Sequence, residues 1–166
     1  MCIKINSWFN QRLLQLFILL IDEREVTYDS FNEYTTLDRP MFSRLIKEYQ
    51  KMLIKLNLKY RMTKEEIGNP DNPGFFKTNI YYLTYLCEDY SFNMSDLTKE
   101  EKIKYLYVIV YLMLRNNQYI SPKILKERID IDISESSFKR FLDSFKMLVG
   151  FDIYKNKLQS YVIEYD

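Results

Sequence analysis

Pro40-Met41-Phe42-Ser43-Arg44-Leu45-Ile46-Lys47-Glu48-Tyr49-Gln50-Lys51-Met52-Leu53-Ile54-Lys55-Leu56 is the stretch that decides how the chain is read. Phe42, Leu45, Ile46, Tyr49, Leu53 and Leu56 recur at three- and four-residue intervals, which predicts an amphipathic helix over about 40–56. Pro40 suits its first turn, where a missing N–H costs nothing. At about 100° per residue, Ser43, Arg44, Lys47, Gln50 and Lys51 fall on the arc opposite the apolar stripe. From Asp38 to Lys64 the basic residues are Arg39, Arg44, Lys47, Lys51, Lys55, Lys59, Arg61 and Lys64, against only Asp38 and Glu48.

The flanks supply a context. Upstream, Trp8-Phe9, Leu13-Leu14, Leu16-Phe17 and Leu20-Ile21 predict a helix over about 6–21. An acidic turn and Val26 follow, and Thr27 is placed to cap a short helix, Tyr28–Tyr34, buried through Phe31. Downstream, Leu58–Met62 and Ile80–Leu86 are rich in β-formers and read as a hairpin. Gly68, Pro70, Pro73 and Gly74 mark 63–79 as loop, with Glu65-Glu66 in a short helical turn ended by Gly68.

The same order recurs later. Thr98-Lys99-Glu100-Glu101 is a capping box opening a helix to about Arg115. Ser121-Pro122 starts a short helix, Lys123–Ile129. A helix over about 135–149 places Phe138, Phe141, Leu142, Phe145 and Leu148 on one face, and Phe151–Tyr154 with Leu158–Tyr165 forms a last hairpin. Shifting by 96 lays Phe42 on Phe138, Arg44 on Arg140, Leu45 on Phe141, Ile46 on Leu142 and Tyr49 on Phe145; shifting by 94 lays Thr27 on Ser121 and Phe31 on Leu125. The chain therefore reads as an internal duplication: unit one over 1–86, a linker over 87–97 and unit two over 98–166. The expected fold class is mainly α with small β-hairpins, α+β.

Composition narrows the function. The 166 residues contain no histidine, which removes histidine-based catalysis and every histidine-containing zinc site. Three glycines cannot build a phosphate-binding loop or dinucleotide fingerprint. Cys2 and Cys87 make neither a metal knuckle nor a disulfide framework, which points to a reducing compartment. The longest apolar run, Leu13–Ile21, is too short to span a bilayer and leads into Asp22-Glu23-Arg24-Glu25. Paired carboxylates Glu65-Glu66 and Glu100-Glu101 read as structural, the second pair sitting in a helix's first turn. The expectation is a cytoplasmic protein with no membrane contact, no cofactor, no metal and no enzymatic activity.

Helix, short helix, turn, longer helix and hairpin is the order of a winged helix-turn-helix. With Gln11-Arg12-Leu13-Leu14-Gln15-Leu16, Val26-Thr27 and Phe42-Ser43-Arg44-Leu45-Ile46-Lys47, the chain resembles the DNA-binding domains of DeoR-like and WYL-type bacterial transcription regulators over about 6–62, and more loosely over 98–165. It departs from them at Tyr28-Asp29-Ser30-Phe31-Asn32-Glu33-Tyr34, where the acidic-aliphatic repressor consensus is replaced, and no ligand-sensing domain follows. The resemblance implies two winged helix-turn-helix units in tandem and sequence-specific binding of double-stranded DNA, with the third helix of a unit in the major groove and the wing on phosphate.

The expected DNA contacts in unit one are Arg39, Ser43, Arg44, Lys47, Gln50, Lys51, Lys59 and Arg61. Unit two offers Lys139, Arg140, Lys155 and Lys157. There Lys47 becomes Asp143 and Lys51 becomes Met147, so unit two is expected to take a weaker site or serve as a dimerisation surface. Two units can occupy successive grooves as a monomer, or a homodimer can present four. Two other readings stay open: a protein-interaction scaffold built from winged helices, favoured by the near-neutral balance of 24 basic and 23 acidic residues, and a plasmid or phage replication initiator.

Overall fold

The structure, a computed structural model, describes residues 8–68, 77–86, 91–116, 118–149, 153–155 and 161–163. The first half runs α1 (Trp8–Glu23), β1 (Glu25–Val26), α2 (Tyr28–Asn32), α3 (Arg39–Lys55), β2 (Tyr60–Gly68) and β3 (Lys77–Tyr85). The second runs α4 (Lys99–Lys104), α5 (Leu106–Arg115), α6 (Pro122–Ile129), α7 (Glu135–Leu148), β4 (Ile153–Lys155) and β5 (Tyr161–Ile163). The class is α+β, as expected.

Side chains at the helix starts explain where the helices begin. Thr27 accepts from the Ser30 N–H and Asp38 from the Met41 N–H; Ser121 accepts from Ile124 and Ser134 from Ser137. Thr27 and Ser121 are 94 positions apart, and Asp38 and Ser134 are 96 apart. These are the two offsets of the sequence repeat, and each cap satisfies an N–H that the helix itself leaves open.

In the first half the strands lie in the order β1-β3-β2, all antiparallel. Val26 pairs with Tyr81, and β2 pairs with β3 from Tyr60↔Tyr85 to Gly68↔Lys77. This corrects the loop expected over 63–79: residues 63–68 and 77–79 are strand, and Glu65-Glu66 lies in β2 rather than in a helical turn. The six residues Thr63–Gly68 are exposed on both faces, so the ribbon has no apolar alternation to announce it. β4 and β5 pair as the expected hairpin, Ile153↔Ile163 to Lys155↔Tyr161. The remainder of that hairpin, Lys157 included, lies outside the described residues.

The helix expected from Thr98 to Arg115 is two helices, broken at Tyr105. The cause comes from the other half. The buried Asn10 side chain donates from Nδ2 to the Ile103 carbonyl at 2.8 Å and accepts at Oδ1 from the Tyr107 N–H at 3.3 Å. In an unbroken helix those two groups would bond to each other. The Asn10 amide takes the place of that bond and meets both ends of it, a recognised way for a side chain to break a helix.

α1 and α5 are the centre of the molecule. Leu13, Leu14, Leu16, Phe17 and Leu20 are fully buried in α1, and Leu106 to Leu114 are buried without interruption in α5. Such all-round apolarity marks a helix covered on every side. α1 packs against α5, α3 and α7. Phe17 joins the halves, its ring 6.1 Å from Tyr49 and 5.9 Å from Tyr111. The Tyr107 ring lies 4.5 Å from that of Phe141, tilted against it, which seats α7. One continuous hydrophobic core results. The described part of the expected linker, 91–97, follows this body: the Asn93 N–H bonds the Leu56 carbonyl, and Leu97 is buried. No described helix is long and apolar enough to cross a membrane.

Candidate nucleic-acid interface

α3 buries Phe42, Leu45, Ile46, Tyr49, Met52 and Leu53, and this orients its other side. Ser43, Arg44, Lys47, Gln50 and Lys51 are all exposed, as the wheel predicted. Nothing in the described residues packs over them. The basic face is a ridge between two recesses, and the consecutive residues Ser43 and Arg44 line one recess each.

The recess on the ribbon side, about 210 Å³, is lined by Tyr28, Asp29, Arg39, Ser43, Asn79 and Tyr81. The Arg39 guanidinium lies over the Tyr28 ring, 4.5 Å from its centre, which holds the charge at the start of α3. Phe42 sits beneath, 5.7 Å from Phe31 and 5.9 Å from Tyr81, so it sets how the ribbon meets α3. Burial pushes the Tyr81 hydroxyl above its ordinary pKa.

The recess on the other side, about 340 Å³, is lined by Phe9 from α1, Arg44, Lys47, Glu48 and Lys51 from α3, and Lys104 from α4. Lys104 Nζ stands 2.6 Å from Glu48 Oε1, while the Tyr105 hydroxyl donates to Glu48 Oε2 at 3.4 Å. Burial and then the Glu48 charge push the Tyr105 hydroxyl well above its ordinary pKa, so it stays a donor. Two turns further along α3, Lys55 Nζ lies 3.8 Å from Glu101 Oε2. The Glu101 carboxyl is held below its ordinary pKa, first by the Thr98 backbone N–H and then by Lys55. These contacts clamp α3 to α4.

The remaining expected residues are dispersed. Lys59 and Arg61 are exposed at the base of β2, Arg61 opposite Thr84. Lys139 and Arg140 are exposed on α7, on the same helix as the exposed Asp143 and Met147. Lys155 belongs to β4. Lys104, Phe9 and Asn79 were not expected at the site; their places there depend on contacts between distant segments.

No family model, no curated protein and no solved structure matches this chain. The functional reading therefore rests on the residues alone.

Proposed function

We propose that the protein binds double-stranded DNA in the cytoplasm, sequence-specifically and without enzymatic activity, through the exposed face of α3, and that it regulates transcription. The observation that carries this reading is the free ridge Ser43, Arg44, Lys47, Gln50 and Lys51, carried by a helix whose opposite side is wholly buried. A helix presented in this way fits the major groove. Arg44 and Gln50 are suited to guanine and adenine edges, and Lys47 and Lys51 to phosphate. The order α1-β1-α2-α3-β2-β3 with the sheet β1-β3-β2 supports treating the first half as a winged helix, its exposed ribbon beside the start of α3 as the wing.

Fluorescence anisotropy with random duplex DNA at two salt concentrations tests the reading. Weak binding that falls steeply with salt is expected, because phosphate neutralisation releases counterions. No binding at low salt overturns it. Selection of bound fragments from a random DNA pool then yields the recognised sequence.

A second reading applies to α7. Met147 is 88% exposed there and Asp143 stands among the basic residues, a surface that repels phosphate and suits a protein partner, including a second copy of the chain.

A further inference from the structure

The recess between α3 and α4 contains more positive charge than the ridge alone. Arg44, Lys47, Lys51 and Lys104 line it against a single carboxylate, Glu48. Glu48 is largely buried, its side chain 15% exposed, and both its oxygens are engaged, by Lys104 and by the Tyr105 hydroxyl. The Lys104 side chain is 41% exposed, and its ammonium has three N–H donors, of which Glu48 takes one. Phe9 contributes an apolar wall, which strengthens charge interactions beside it by lowering the local dielectric. Like charges gathered in one open recess repel one another until an anion enters.

We propose that this recess is a phosphate clamp for the backbone of duplex DNA, and that Lys104, supplied by the second half of the chain, is one of its contact residues. The proposal rests on the reading of α3 as the DNA-binding helix and adds a partner to it: α3 reads the groove while Lys104, held across the recess by Glu48, grips the flanking strand. Glu48 acts as a positioning residue. Its salt bridge joins α3 to α4, so the strand is held by two elements from different halves of the chain.

The test is an anisotropy titration with duplex DNA over a series of salt concentrations, using the wild-type chain, Lys104→Gln, Lys104→Arg and, as a control of equal charge change, Lys99→Gln. Loss of one phosphate contact lowers the slope of log affinity against log salt by about 0.9, equally on selected and random sequences. Lys104→Gln is expected to show that decrease, Lys104→Arg to keep the wild-type slope, and Lys99→Gln to match the wild type. Should circular dichroism show Lys104→Gln misfolded, the double variant Glu48→Gln/Lys104→Gln removes the stranded carboxylate and supplies the same measurement. A wild-type slope in Lys104→Gln, or an equal loss in Lys99→Gln, overturns the clamp and leaves α3 as reader. A wild-type chain that does not bind at all overturns both.

Discussion

Asn10 and Tyr107, 97 positions apart, share a buried hydrogen bond that replaces a backbone bond of the second half's first helix. Replacing Asn10 by Leu leaves the Ile103 carbonyl and the Tyr107 N–H without that partner inside the core. A buried group deprived of its hydrogen bond costs about 1–3 kcal/mol. For a chain of this size the melting temperature falls by roughly 2–4 °C per kcal/mol. Calorimetry on Asn10→Leu is expected to show a drop of several degrees, and an unchanged melting temperature would mean that α4 and α5 can fuse without cost.

Reversing the ridge separates binding from folding. Arg44→Glu with Lys47→Glu places two carboxylates where the proposed reading requires cations. Both side chains are exposed, so the fold is expected to keep its melting temperature within a degree or two, since exposed substitutions change stability little. Duplex binding by anisotropy is expected to fall at least tenfold. Retained affinity would exclude α3 as the DNA-binding helix.

Phe42 is expected to matter for the opposite reason. It is 5% exposed and touches Tyr28, Phe31 and Tyr81. Phe42→Ala opens a cavity under the start of α3, and such truncations cost about 3–5 kcal/mol. Urea denaturation followed by circular dichroism measures it.

Glu101 makes a prediction about acid. Its folded pKa lies below the ordinary value, first because of the Thr98 backbone N–H, so the stabilisation is present at neutral pH. It is lost as pH falls through the carboxylate range toward that lowered pKa. Melting temperatures recorded from pH 7 down to pH 3 are expected to decline more in the wild type than in Glu101→Gln. Parallel curves would remove the capping box from the acid response.

Separated halves are a further case. A fragment ending at residue 97 exposes the side of α1 that α5 covers, Phe17 included. It is expected to lack a cooperative unfolding transition in calorimetry, and the intact chain is expected to unfold in one step. Two independent transitions in the intact chain would contradict the shared core.

The helices were legible because their signals are local. Thr27, Thr98 and Ser121 stand one residue before the helices they cap, and the apolar spacing of Phe42 to Leu53 and of Phe138 to Phe145 sets which faces are buried; Asp38 and Ser134, read only as turn residues, cap their helices in the same way. Two elements were misread for physical reasons. The outer part of β2 carries Lys64, Glu65, Glu66 and Gly68, none a strand former, and its pairing comes from β3 rather than from burial. The break at Tyr105 has no cause in its own neighbourhood, since Asn10 makes it from the far side of the core. The exposed arc of α3 could be read from a wheel. The recess that Lys104 completes could not, because Lys104 and Glu48 lie 56 positions apart.

α1 runs through the one core, with α3 on one flank and α5 and α7 on others. The molecule is consequently a calliper locked at one opening. Through that shared helix the outer surfaces of α3 and α7 are set at one separation and one mutual tilt. On the proposed reading, a target that meets both must already possess that pitch, so selectivity for spacing would be set in the interior rather than at the contacts.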